Sequence, residues 1–159
     1  MMTQSPSPVL KAVGVVDVNC GARVTIVTPS NVYRCTLGDD VFVGPFTEIQ
    51  SGVSIGARTR VQSHSFICEL VTIGADCFIG HGTMFVNDTF STGGPARGRK
   101  ELWRSTDISD RVSIGSNVTI MPVKICSDVV IGAGAVVTRN IDKPGAYAGS
   151  PARRLPDKP

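Results

Sequence analysis

From Leu37 onward every sixth residue is apolar, with Val43, Ile49, Ile55, Val61, Ile67, Ile73, Ile79 and Phe85 following without a break. The positions two before them, Cys35, Val41, Thr47, Val53, Thr59, Ser65, Val71, Cys77 and Thr83, are small or β-branched throughout. An α-helix needs apolar residues at i, i+3, i+4 and i+7, and it disfavours the glycines and β-branched residues found here. A period of six instead gives short strands with two inward side chains each, joined by corners. Glycine follows the large aliphatic residue at Gly38, Gly44, Gly56, Gly74 and Gly80, where a tight corner calls for close backbone approach or an unusual φ. Three units close a coil of about 18 residues, and successive coils pair as parallel strands. The pattern predicts an all-β parallel β-helix.

The period resumes at Ile108, Ile114 and Ile120, then slips by one residue to Ile125, Ile131 and Val137, which predicts a tightened corner at Met121–Lys124. Before Leu37 the fit of Val24, Ile26 and Val32 is imperfect, so the first coil is expected to be an irregular cap. Residues 1–10 are expected to be disordered and residues 11–159 to form a single domain. Between Asn87 and Asp107 the period vanishes, predicting an excursion loop at about 87–107. A long insertion of this kind is usually functional or disordered, and Phe90 and Trp103 favour one that packs, for instance on a neighbouring subunit. Pro144 and Pro151 end the repeat.

Composition narrows the function classes. A hydrophobic content of 42% with 18% charged residues suffices for a real core. No stretch is long and apolar enough to span a membrane, and no basic segment followed by an apolar core begins the chain, so the expected location is cytoplasmic with no membrane partner. Five cysteines without C-x-x-C spacing read as reduced thiols, with Cys35 and Cys77 inward and Cys68 and Cys126 at glycine-type corners, open to exposure. A net charge of +3 without a long basic run argues against nucleic acid but suits a small anionic ligand. Two histidines are too few for a multi-histidine metal site.

Ile-Gly-Ala-Gly-Ala-Val-Val-Thr at 131–138, followed by Ala-Gly-Ser-Pro-Ala-Arg at 148–153, resembles the C-terminal signature of hexapeptide acyltransferases. The segments at 42–50 (Phe-Val-Gly-Pro-Phe-Thr-Glu-Ile-Gln), 62–69 (Gln-Ser-His-Ser-Phe-Ile-Cys-Glu) and 80–88 (Gly-His-Gly-Thr-Met-Phe-Val-Asn-Asp) are similar to the nucleotide-linked amino-sugar N-acetyltransferases of bacterial surface-polysaccharide synthesis. The resemblance covers about residues 24–155. It implies a left-handed coil, a homotrimer and an acetyl-CoA site between adjacent subunits. It also implies that Asn87, within the Phe-x-Asn-Asp motif, stands at the reaction centre. Many hexapeptide acetyltransferases carry a histidine base in the excursion loop, whereas this loop has none; both histidines lie in the coils.

Acyl transfer from a thioester needs an unprotonated nucleophile, a donor for the developing oxyanion and a proton route to the leaving thiolate. His81 and Asn87, six apart, fall at neighbouring corners of one coil, with Ser63 one coil beneath His81, and they are the candidate catalytic pair. Gln62 and His64 extend the polar strip. Glu48 suits a sugar hydroxyl or the substrate amine, and Asp88 joins them as a substrate contact through the motif. Glu69 lies one coil from Asn87. Lys124, Arg139 and Arg153 are candidates for coenzyme A phosphates, while Gly132, Ala133 and Ala148 leave room for its pantetheine arm. Each polar residue also fits an ordinary solvated corner. The leading expectation is N-acetylation of a nucleotide-linked amino sugar by direct attack. The alternatives are an O-acetyltransferase, in which His64 or His81 must act as base, and a non-catalytic β-helical assembly protein.

Overall fold

In the computed structural model, which describes residues 11–156, the chain winds into a prism with three parallel sheets as its faces. Face I stacks seven strands: Val15–Val16, Asn31–Tyr33, Glu48–Ile49, Phe66–Ile67, Met84–Phe85, Thr119–Ile120 and Val136–Val137. Face II stacks six, from Asn19–Cys20 to Lys124–Ile125, and face III runs from Thr25–Ile26 to Gly145–Ala148, closed by an antiparallel pairing with Arg153–Arg154. The registers Leu37↔Ile55 and Val43↔Val61 fix the coil at 18 residues. This is the β-helix that the sixfold pattern predicts, consistent with the left-handed coil the resemblance implies. Among the described residues no helix is long and apolar enough to cross a membrane. The expectation of disorder for 1–10 lies outside the described residues.

The large apolar residue of every unit from Leu37 to Val137 lies within the prism, in three columns at most 3% exposed. Burying each contributes roughly 1.5–3 kcal/mol. The second inward position carries hydroxyls as well, and the corners explain how. Thr59 donates to the Gly74 carbonyl at 2.8 Å, Thr83 to the Gly80 carbonyl at 2.8 Å, and Ser65 to the Gln62 and Gly80 carbonyls at 3.0 and 3.1 Å. A buried hydroxyl is tolerated because it satisfies a carbonyl that the turn leaves without a strand partner.

The glycines that follow the large aliphatic residue are selected by close approach. A Cβ at Gly56 would lie 2.5 Å from the Ala75 backbone nitrogen in the next coil, and no left-handed φ occurs there. The left-handed residue sits two positions later, as at Arg58 (φ 59°) and Asp76 (φ 58°). Cys68, expected at an open corner, is 2% exposed, and burial pushes its thiol up to about 12; Cys126 is half-buried. Cys35 is likewise buried and raised to about 11.

Two further expectations change in detail. The first coil is regular in its pairing, with Val15↔Val32, Asn19↔Thr36 and Thr25↔Phe42 all in parallel register. Its sequence looks irregular because, as the end coil, it leaves its side chains exposed. The excursion ends slightly earlier than 107, since the strand Thr106–Ile108 already pairs with Val71–Ile73. The slip at Met121–Lys124 is a coil one residue short, with Ile108 opposite Ile125.

Candidate functional site

The three corners repeat one backbone geometry with different side chains. At corner III/I, between faces III and I, consecutive coils present Pro45-Phe46, Ser63-His64, His81-Gly82, Ser116-Asn117 and Ala133-Gly134. Phe46, His64, Gly82, Asn117 and Gly134 all hold left-handed φ, and the side chains among them, Phe46, His64 and Asn117, are exposed along one line. The Phe46 and His64 rings stack at 5.0 Å with a 31° tilt. Ser63 Oγ lies 2.9 Å from His81 Nδ1, which leaves Nε2 as the outward nitrogen of an exposed imidazole. At Gly82 a Cβ would collide with Asn117 Oδ1.

Corner I/II carries the excursion. The Arg104 N–H donates to the Asn87 carbonyl at 2.9 Å and pinches the loop shut at its base. Asn87 Nδ2 donates to the Glu69 carbonyl at 3.2 Å, which commits the donor end of this half-buried amide. Beside it runs a chain of contacts: Gln50 Nε2 donates to Glu48 Oε1 at 2.9 Å, and Gln50 Oε1 accepts the Glu69 N–H at 3.2 Å. Burial, then the charges of Glu48 and Glu69, push the nearby Tyr33 phenol up. The Glu69 carboxylate takes Lys100 of the loop at 2.6 Å, and Lys100 also lies 5.4 Å above the Trp103 ring. Glu69 carries no assigned role from sequence. Gln50, Tyr33 and Lys100 are not singled out from sequence, because the contacts of Gln50 and Lys100 with Glu69 join residues 19 and 31 apart in the chain.

Asp88, expected at the substrate, organises the loop. Its carboxylate accepts the Phe90 N–H at 3.0 Å and the Ala96 N–H at 2.7 Å, with Ala96 1% exposed. Phe90 itself is 59% exposed, while Trp103 is half-buried. Gln62, also expected at the substrate, is half-buried at corner III/I, and its carbonyl accepts from Thr47 and Ser65.

The expected sites divide between corners. Gln62, His64 and His81 share corner III/I. Asn87 stands at corner I/II, at the opposite end of the strand Met84–Phe85, so within one chain the imidazole of His81 and the amide of Asn87 do not meet. The coenzyme set divides likewise. Gly132 and Ala133 lie at corner III/I in the coil after Asn117, with the Gly132 N–H on the Tyr147 carbonyl at 2.8 Å and Ala148 packed against Gly132. Arg139 and Arg153, with Arg154 and Tyr147, line a cleft of about 170 Å³ at the C-terminal end of the prism. Lys124 projects from face II, 3.9 Å from Asp107, toward a separate cleft with Thr89, Arg104 and Asn140.

Two family models match the chain, the bacterial transferase hexapeptide (six repeats) over residues 34–69 and the hexapeptide repeat of succinyl-transferase over residues 106–139. The bifunctional protein GlmU of Thermotoga petrophila is 31% identical over 145 residues, covering 80% of this chain and 30% of that protein. The chain thus spans about a third of the length of that relative. Among solved structures, a point mutant of AntD, an N-acyltransferase from Bacillus cereus in complex with dTDP and coenzyme A, superposes with a TM-score of 0.77 at 20% identity, covering 89% of this chain and 84% of that one. A point mutant of perosamine N-acetyltransferase from Caulobacter crescentus, in complex with CoA and GDP-perosamine, gives 0.73 at 21% identity, covering 86% and 58%. At these identities the likeness is one of fold.

Proposed function

We propose that this chain, which carries the hexapeptide repeat of bacterial transferases, transfers acetyl from acetyl-CoA to the amino group of a nucleotide-linked amino sugar. The partner of His81 is the observation that carries the choice of nucleophile. Nδ1 faces the neutral Ser63 hydroxyl, whereas a base strong enough to activate an alcohol is usually oriented by a carboxylate. An amine needs far less activation. The two fold neighbours, one an N-acyltransferase and the other an N-acetyltransferase, hold coenzyme A with a nucleotide or nucleotide sugar, which supports the same donor and acceptor class here.

In this reading the amine lone pair attacks the thioester carbonyl, the C–S bond breaks, and a proton leaves the nitrogen for the departing thiolate. Asn87 Oδ1 accepts an amine N–H and aims the lone pair, since its Nδ2 is already committed to the Glu69 carbonyl. His81 Nε2 carries the proton. The two residues stand at opposite ends of face I, so we place the reaction between subunits of a homotrimer, where corner III/I of one copy meets corner I/II of the next. Arg139, Arg153 and Lys124 serve the coenzyme phosphates, and Gly132, Ala133 and Ala148 admit its arm.

A panel of nucleotide-linked amino sugars incubated with acetyl-CoA should release coenzyme A thiol with at least one amine acceptor. Release only with hydroxyl acceptors, or none at all, would overturn the proposal. Light scattering should give a trimer mass. Co-expressing His81→Ala and Asn87→Ala chains should raise the activity above that of either variant alone, because mixed trimers contain one intact site; no gain would mean that the two residues do not share a site across the subunit interface.

A further inference from the structure

At corner III/I the Phe46 ring is 59% exposed. The same left-handed corner position holds Arg or Asp along corner II/III and Gly or Asn in the later coils of corner III/I, residues that hydrate readily or tolerate that φ. Leaving an aromatic ring in water forgoes the stabilisation its burial would bring. Among the described residues the ring's aromatic neighbour is His64 at 5.0 Å. The rung after His64 is Gly82, so the stack contains two rings and no third. Beyond Phe46 a cleft of about 270 Å³ opens, with Val13 and Pro29 as apolar walls and Asn31 and Glu48 as polar ones. A flat heterocycle with hydrogen-bonding edges fits this combination. Faces of aromatic rings accept any base, and side-chain amides or carboxylates meet its edge. Phe46 stands two coils from His81 on the same corner, about 10 Å at the usual strand spacing, a separation suited to a ligand whose base and reacting sugar are held apart by a diphosphate.

We propose that the stacked rings of Phe46 and His64 are the platform for the heterocyclic base of the nucleotide-linked acceptor, with Asn31 and Glu48 at its edge. This rests on the acceptor class given above.

The test is binding of UDP, dTDP and GDP to the full-length protein by calorimetry, with ribose 5-phosphate as a baseless control. Phe46→Ala should weaken the tightest nucleotide about tenfold or more, Phe46→Trp should keep it, and ribose 5-phosphate should bind both alike. Unaltered nucleotide affinity in Phe46→Ala would overturn the platform while leaving the acceptor class standing. Failure of the wild type to bind any of the three, with acetyl transfer to a free amino sugar, would overturn both. A smaller particle mass for Phe46→Ala would show instead that a second copy covers the ring, and would likewise sink the platform.

Discussion

Corners II/III and III/I share backbone geometry and coil spacing, yet their outward side chains do opposite things. Along II/III the left-handed positions read Arg23, Asp40, Arg58, Asp76, Arg111 and Asp128, joined as three bidentate pairs at 2.6 to 2.9 Å. Every charge there finds its complement one coil away in the same chain. Along III/I the equivalent line offers the stacked rings of Phe46 and His64, the bare Gly82, the amide of Asn117 and the bare Gly134, with the exposed imidazole of His81 standing beside Gly82. In a solenoid where each coil presents the same positions, a line that satisfies itself is a stabilising seam. A line that leaves donors, acceptors and ring faces unused is where a ligand or another subunit finds its partners.

The largest test of that contrast removes the frame both corners depend on. Ile73 lies in the face II column at 1% exposure, and Ile73→Asp should cost about 3 kcal/mol or more, enough to abolish a cooperative melt near the parent temperature. A parent-like melt would mean that the inward register is wrong. Next in size, Asn87→Ala should lower kcat about a hundredfold, the scale of misplacing a reacting group, and His81→Ala about ten- to a thousandfold. Arg58→Ala on the self-paired corner should leave turnover at the parent level, and steady-state kinetics on the three variants would expose any blurring of the two corners.

These outcomes bear on what the sequence reveals. The columns from Leu37 to Phe85 are legible because sixfold burial is a local signal repeated at every unit. Ser63 under His81 and Glu69 beside Asn87 are legible from coil arithmetic, and hydrogen bonds at 2.9 and 3.2 Å join the two pairs. The Phe46–His64 stack, the Gln50 relay and the Lys100–Glu69 pair are not, because they depend on how side chains lean across coils and on the path of a loop without a period. Cys68 misleads for a related reason. Its corner position looks open by analogy with glycine, but the side chain is 2% exposed and belongs to the core.

A smaller effect tests orientation. Ser63→Ala frees the His81 ring and should lower kcat about tenfold or less. It should also displace the pH–rate profile, while Ser63→Thr keeps both near the parent. An unmoved profile in Ser63→Ala would make the hydroxyl a bystander.

The smallest effect belongs to the seam. The hydrogen bond and charge of Arg58 hold the Asp76 carboxyl below its ordinary value of 3.8, and Arg23 and Arg111 do the same for Asp40 and Asp128. A depressed folded value means the stabilisation is present above the ordinary value and is lost as pH falls through the depressed one. Melting temperature should therefore drop in acid below about pH 4. Asp76→Asn should flatten part of that drop, and salt should shrink the difference at neutral pH because these pairs are solvent-exposed. A salt-independent loss would mean the seam packs more than it pairs.

The pinch between the Asn87 carbonyl and the Arg104 N–H has a consequence for how such a protein diversifies. Sixteen residues leave the prism after Asn87 and return at Arg104. The coils on either side still meet in register, Phe85 against Ile120 and Val71 against Thr106. The loop brings its own organiser in Asp88 and is fastened outside by one ion pair. It behaves as an interchangeable cassette. Its length and composition can change while the prism folds by the same rule, so the surface at corner I/II can be altered without solving the folding problem again.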